Sequence, residues 1–579
     1  MSAPPGRPAP AAQASPADDG QWTMPAKNYA STRFSALDQI NTTNVSRLGL
    51  AWTFSTGTTK GLEAPPLVVN NTMYVLTPYP NNLYALDLTR PGAPIKWKYS
   101  PNPAPASQGV ACCDVVNRGP FFDNGRLFFN TLDDNTVAVD AQTGKEVWRT
   151  KVGDIGQGES MTMSPLVAKG KVFVGLSGGE LGIRGRLVAL DEGSGAIAWT
   201  AYSTGPDTAV KIGARFRPFY ASMKGKDLGV SSWPGETWKH GGAGVWGWVT
   251  YDPATNLVIY GTANPGPWNP DQRPGDNKWS STLFARDPDT GDAVWAYQIS
   301  PHDLHDYDGV NENILLDMPF GAQQRQVLVR ADRNGYLYII DRTSGQVLAA
   351  DPFVPITTSK GVDLRTGALL YDPSRKPIAN AVVRMACPAS PGGKDWQPMA
   401  FSPRTGYLYI PSNNLCQDVQ ATNANYIPGT PFVGMDVVQY PGPGGNGGQF
   451  QLWDVAGRRR VCEIPDRFPV WSGAVVTAGD VAFYGTLEGW FRAVDARNCK
   501  ILWQFKTASG IVGQPIVYRG PDGKEYVAIL SGIGGWVGAI VSGDLDPRDP
   551  TAAAGFVNAV QELKKLQTTG GTLYVFALP

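Results

Sequence analysis

Residues 119–148, GPFFDNGRLFFNTLDDNTVAVDAQTGKEVW, decide the fold. An apolar run ending at Phe122 turns through Asp123-Asn124-Gly125 into a second run, Leu127 to Phe129, and Asn-Gly between two apolar runs signals a tight hairpin. The chain then alternates through TVAVD, turns at Thr143-Gly144 and re-enters a strand bearing Trp148. Alternation with period two turns one face inward, the habit of a strand and not of a helix. Two hairpins in succession make one four-stranded antiparallel sheet.

Both halves recur. Further hairpins start at Ala64, Met163, Val249, Arg325, Gln397, Ser472 and Gly513, and the Trp-bearing signature returns as ALDEGSGAIAW to Trp199, ARDPDTGDAVW to Trp295 and AVDARNCKILW to Trp503. Eight such units of about 70 residues each are what an eight-bladed β-propeller requires, so the expected fold is all-β, with blades packed around an axis. Trp at one place in successive outer strands suits a W-type docking motif, the ring wedged between blades and its indole N–H on a backbone carbonyl. LGLAWTFST from Leu48 lacks a hairpin of its own and GTLYVFALP is an orphan last strand, so the N- and C-terminal strands are expected to close one blade. DPTAAAGFVNAVQELKKL from Asp549 reads as an amphipathic helix with Phe556, Val560 and Leu563 on one face. Residues 1–27 are expected to form a disordered Pro/Ala-rich lead-in, and 28–579 a single propeller whose insertions near 204–245 and 415–450 cap the ligand face.

The 579 residues carry 50 basic and 50 acidic side chains, a balance that argues against a nucleic-acid binder. No stretch of about twenty apolar residues is present to span a bilayer. Only 3 His occur, and neither HExxH nor CxxCH, which removes metalloprotease and covalent-haem readings. The 6 Cys form no CxxC pair with zinc-ribbon spacing, so disulfides are the more natural reading.

Four bends carry residues with chemistry. GVACCDVVNRGP sets Cys112 beside Cys113; neighbouring cysteines bond only through a strained eight-membered ring, and two ordinary thiols are the alternative. PHDLHDYDGVNENIL from Pro301 holds Asp303, Asp306 and Asp308, either as solvated turn residues or as a hard-cation site with a general base. GLSGGELGIRG from Gly175 bends around Glu180, and YGTANPGPWNP from Tyr260 presents Asn264. Glu, Asn and Asp on one end of successive blades suggest an oxygen-ligand cage on the axis.

In these motifs and their order the chain resembles the pyrroloquinoline quinone (PQQ) dependent alcohol dehydrogenases of the methanol/ethanol family, from about Asn28 to Pro579. The resemblance implies PQQ held between a Cys112–Cys113 vicinal disulfide and Trp246 of GGAGVWGW. It places Arg118, Thr162, Ser177, Gly178 and Gly179 around the cofactor carboxylates, with Glu63 nearby, Arg333 at the quinone oxygens and Asp395 as another polar contact. Trp471 and Trp536 would wall the cofactor cavity, and Trp268 the substrate pocket. Glu180, Asn264 and Asp306 would hold the metal, Asp306 also taking the alcohol proton. Asp308, two residues on, marks the lanthanide-dependent branch, since one more carboxylate favours a trivalent ion; a light lanthanide (La, Ce or Nd) is expected, with Ca²⁺ as the alternative. Cys387 and Cys416 match a family disulfide, whereas Cys462 and Cys499 match none and are left as thiols or a bridge.

The resemblance further implies a periplasmic enzyme, although residues 1–20 hold no apolar signal core, that oxidises small primary alcohols or aldehydes and passes electrons to a soluble cytochrome c. A homodimer is left open. Two other readings differ in class: a non-catalytic propeller scaffold, which leaves the Cys-Cys, Glu180, Asn264 and Asp306 set unexplained, and a calcium-dependent sugar or polyol dehydrogenase, disfavoured by the PHDxxDxDG loop.

Overall fold

The computed structural model describes residues 11–12, 20–550 and 552–579. Four-stranded antiparallel sheets follow one another along the chain. The stretch that opened the sequence reading folds as Phe121–Asp123, Arg126–Asn130, Asn135–Asp140 and Glu146–Lys151, paired in that order. The same meander spans 67–99, 166–202, 249–298, 314–352, 400–466 and 475–506. Another sheet takes Ile516–Arg519, Glu525–Ser531 and the last strand Thr572–Ala577, and adds Gly49–Ser55 from the other end of the chain, antiparallel to Thr572–Ala577. The fold is all-β and largely antiparallel, and burial falls across each sheet: second strands such as Thr72–Leu76 and Val481–Gly485 are buried at every position, whereas last strands such as Ile95–Tyr99 and Ile501–Lys506 are exposed or half-buried.

Tryptophan and glycine repeat across the sheet contacts. Trp97, Trp148, Trp199, Trp295 and Trp503 each sit opposite an alanine of the preceding strand, next to a bulge. Their indole N–H groups donate to the carbonyls of Ala141, Glu192, Pro288, Arg342 and Leu48, each in a different sheet or its approach, at 3.0–3.2 Å. The turn glycine below is obligatory. A Cβ on Gly144 would lie 2.6 Å from the Trp97 ring and one on Gly195 2.6 Å from Trp148, at φ 73° and 75°.

Two expectations are corrected. Packed structure is present ahead of residue 28: Trp22 is fully buried and exchanges backbone hydrogen bonds with Val68 at 2.7 and 3.0 Å, because an indole supplies enough apolar area to anchor even a short segment. The rest of the lead-in, 1–10 and 13–19, lies outside the described residues. The Asp549 segment forms two short helices, Phe556–Val560 and Leu563–Leu566, where one was expected, though Phe556, Val560 and Leu563 are all buried. Cys387–Cys416 is bonded as expected, and Cys462–Cys499 is bonded too. Among the described residues no helix is long and apolar enough to cross a membrane.

Candidate active site

In an antiparallel meander the segment entering the first strand and the turn leaving the second lie at the same edge of the sheet. Every candidate residue falls in one of these two places. Glu63, Cys112, Cys113, Arg118, Thr162, Trp246, Asp306, Asp308, Asp395 and Trp471 lead into first strands; Ser177, Gly178, Gly179, Glu180, Asn264, Trp268, Arg333 and Trp536 follow second strands. All of them line one cavity of about 370 Å³.

The bends have local causes. Glu180 lies in the 3-10 turn Gly179–Leu181, between Gly178 at φ 127° and Gly182 at φ 69°. A Cβ on Gly178 would stand 2.2 Å from the Gly158 carbonyl oxygen, so no other residue fits. The Asn264 N–H donates to Asp308 Oδ1 at 2.5 Å, tying two loops together. Asn264 Oδ1 leans on the Glu180 turn, 3.2 Å from where a Gly179 Cβ would be.

Arg333 is the electrostatic hub. Its Nη2 donates to Asp395 Oδ2 at 2.9 Å and lies 3.2 Å from Asp308 Oδ2; its Nη1 donates to the Asp306 carbonyl at 3.1 Å. Burial disfavours the guanidinium charge, but Asp395, Asp308 and Asp306 outweigh it and raise the pKa above the ordinary arginine value. Burial pushes Asp308 up to about 7, with Arg333 opposing. Burial and then the Asp308 charge push Asp306 well above the carboxylate range. Asp306 Oδ1 is buried without a partner, an arrangement that calls for a cation or a donor in the cavity. A second pair lies opposite in charge: Arg118 Nη2 is 3.0 Å from Glu63 Oε2, while its Nη1 donates to Thr162 Oγ1 at 2.8 Å.

Glu180, Asn264, Asp306 and Asp308 form a hard, all-oxygen donor set suited to a large cation. Among the described residues no three His, Cys, Asp or Glu side chains converge tightly enough to hold an ion alone, so further oxygens are required. A flat polyanion also fits. The Arg118 guanidinium lies 4.9 Å from the ring centroids of Trp246 and Trp396, Arg333 lies 5.3 Å from Trp246, and the buried indole N–H groups of Trp268, Trp396 and Trp471 have no partner.

One expectation differs from the structure. Cys112 and Cys113 are free thiols, Cys112 exposed and Cys113 half-buried; the eight-membered ring of a vicinal disulfide needs a distorted peptide, and here the two share a turn with their sulfurs unbonded. Asp303 stays out of the cavity and braces the loop by accepting the Tyr307 N–H at 3.1 Å. Neither His302, bonded to the Gly275 carbonyl, nor His305, which burial drives down to about 3, lines the cavity. Sequence reasoning missed Asp114, Trp396, Leu181, Pro431 and Val433 on the wall. Asp114 was legible as a neighbour of the Cys pair; Pro431 and Val433 come from an insertion whose path nothing in its composition reveals.

An array of four-stranded sheets with an oxygen-lined, tryptophan-walled cavity at one edge is the build of a quinoprotein dehydrogenase. The family model for the glucose/ethanol/alcohol dehydrogenase β-propeller domain matches residues 22–363. The chain is 51% identical over 567 residues to a lanthanide-dependent methanol dehydrogenase of Methylacidiphilum fumariolicum, covering 97% of this chain and 93% of the relative. It is 42% identical to the methanol dehydrogenase [cytochrome c] subunit 1 of Methylobacterium organophilum, covering 97% and 91%. Among solved structures a europium-containing methanol dehydrogenase superposes with a TM-score of 0.95 at 51% identity, covering 96% of this chain and 98% of that one. The chain belongs to the PQQ-dependent alcohol dehydrogenase family and is an oxidoreductase.

Proposed function

We propose that the protein is a periplasmic, lanthanide-dependent quinoprotein alcohol dehydrogenase that oxidises small primary alcohols and delivers electrons to a soluble cytochrome c. The observation that carries this reading is that Glu180, Asn264, Asp306 and Asp308 line one cavity with Arg333, with Asp306 Oδ1 buried and unpartnered. The sheets are the blades of an eight-bladed propeller, the Trp and Gly contacts its docking motif, and the pairing of Gly49–Ser55 with Thr572–Ala577 its closure.

Arg118, Thr162, Ser177, Gly178 and Gly179 bind the carboxylates of PQQ, Glu63 orients Arg118, and Arg333 with Asp395 addresses the quinone oxygens. Trp246 would cover one ring face, the Cys112 and Cys113 turn would lie at the other, and Trp471 and Trp536 would close the sides. Bound together, metal and quinone supply a Lewis acid and a hydride acceptor. Asp306 accepts the alcohol proton at its free oxygen, and Trp268 confines the substrate. A fourth oxygen ligand from Asp308 favours a trivalent ion over Ca²⁺, whose site needs less negative charge.

The test is dye-linked methanol and ethanol oxidation by metal-free protein reconstituted with PQQ and either La³⁺ or Ca²⁺, alongside Asp308→Ala. Activity with La³⁺ that Asp308→Ala abolishes is expected. Turnover with Ca²⁺ alone would overturn the lanthanide assignment.

A further inference from the structure

The insertion at residues 422–434 forms a strap beside the cavity, which it lines with Pro431 and Val433, and it contacts the loops that present the candidate metal ligands. The Phe432 N–H donates to the carbonyl of Glu180 itself at 2.6 Å. Tyr426 and Phe432 both press on Gly182, which ends the Glu180 turn: a Cβ there would lie 2.7 Å from Tyr426 Cδ2 and 3.1 Å from Phe432 Cδ1. The two rings meet edge to face at 5.7 Å, and Tyr426 is stacked at 3.6 Å on His240, from the loop preceding Trp246.

On its other side the strap holds the Asn264 loop. The Trp268 N–H donates to the Val433 carbonyl at 2.6 Å, Asn269 Nδ2 to the Thr422 carbonyl at 2.7 Å, and Gln272 exchanges two hydrogen bonds with the Ala424 backbone at 2.8 and 2.9 Å. Glu180 and Asn264 come from different sheets whose loops are already linked by residues 241–245, the Gly242 N–H donating to the Ile183 carbonyl at 2.9 Å and the Ala243 N–H to the Asn264 carbonyl at 2.8 Å, and the strap adds a second, outer link. The strap is therefore bonded to both. It also has its own closure, with Thr422 N–H on the Gly434 carbonyl at 3.0 Å.

We propose that Tyr426 and Phe432 are positioning residues for the metal site: they clamp the Glu180 turn against the Asn264 loop and so set lanthanide affinity without touching the ion. The inference rests on the site reading above and deepens it. A glycine-flanked 3-10 turn has little stiffness of its own, because both flanking residues sit at positive φ where only the surroundings fix the backbone. A ligand on such a turn keeps its place only through outer contacts, and removing contacts of that kind typically weakens metal binding about 10–100-fold.

The experiment titrates metal-free, PQQ-loaded full-length protein with Tb³⁺ and reads terbium luminescence excited through tryptophan, together with thermal unfolding of the metal-free protein. Tyr426→Ala and Phe432→Ala are expected to weaken Tb³⁺ binding at least about tenfold with little change in metal-free unfolding, whereas Tyr426→Phe, which keeps the ring, binds as wild type. Phe432→Leu serves where the alanine variant does not fold, with a smaller loss in the same direction. Strap variants that bind Tb³⁺ as wild type while Glu180→Gln does not would overturn the strap inference alone. Equal binding by wild type and Glu180→Gln would remove the site reading, and this inference with it.

Discussion

Cys462 and Cys499 are bonded across two neighbouring sheets at the positions that elsewhere hold a tryptophan and the glycine beneath it. Cys462 pairs with Leu452 immediately before a bulge, the register that Trp148 has with Ala138 and Trp503 with Ala493. Cys499 stands in ARNCK where other turns read AQTGK and EGSGA, and it holds φ 61° as those glycines do. A covalent link thus replaces the indole contact between 400–466 and 475–506. Cys462→Ser with Cys499→Ser is expected to cost about 2–4 kcal/mol in denaturant unfolding. Cys462→Trp with Cys499→Gly, which restores the repeat pattern, should recover much of that loss; a restored pair no better than the serine pair would refute the equivalence.

Asp306 carries the proton transfer in the proposed reaction. Asp306→Asn keeps the shape and one oxygen but no base, so kcat should fall by about 10²–10⁴-fold with the alcohol KM little changed. Reconstituted protein assayed with methanol across concentrations separates the two constants. A fall in kcat/KM through KM alone would reassign Asp306 to binding.

Asp134 tests the same physics away from the site. It is fully buried, neither carboxylate oxygen has a partner, and burial pushes its pKa up to about 8. A carboxyl raised in the fold above its unfolded value near 3.8 binds its proton more tightly when folded, so its contribution is complete below about pH 4 and lost as pH rises toward 8. Asp134→Asn keeps the shape, and asparagine tolerates the φ of 67° found there. The variant should match wild type near pH 4 and be more stable by at least about 1 kcal/mol near pH 8. Parallel stability profiles from pH 4 to 8 would rule this out.

The fold was legible because its determinants are local: Asn-Gly turns, period-two alternation and a Trp per repeat each act within one hairpin. That the candidate residues share one cavity was legible for a related reason. Once the meander is recognised, Glu180, Asn264 and Asp306 must emerge at one edge of their sheets, whatever the loop details. What the sequence did not show are relationships set by distant packing. Tyr426 meets Gly182 only because an insertion folds back over another sheet, and Trp22 anchors the chain start against Val68 through a pairing that no local pattern encodes. The Cys462–Cys499 link lay in between, hidden because the cysteines had replaced the signature that marks the repeat.

Behind Arg333 a buried ion pair sets the placement of Asp395. Lys394 Nζ lies 2.6 Å from Glu312 Oε2, both side chains nearly inaccessible, and Glu312 Oε1 accepts the Met399 N–H at 2.8 Å. The next residue, Asp395, accepts from its own neighbour Trp396 N at 2.7 Å and from Arg333 Nη2 at 2.9 Å, so the pair fixes the backbone from which the Arg333 partner projects. Burial lowers the Lys394 pKa and Glu312 opposes that shift, which makes each charge dependent on the other. Lys394→Met leaves Glu312 buried and unpaired and should cost about 3–5 kcal/mol, whereas Lys394→Met with Glu312→Gln removes both charges and should recover most of it. Denaturant unfolding of the single and double variants reads the difference. A double variant as unstable as Lys394→Met alone would mean that the side chains matter for their packing and not for their charge.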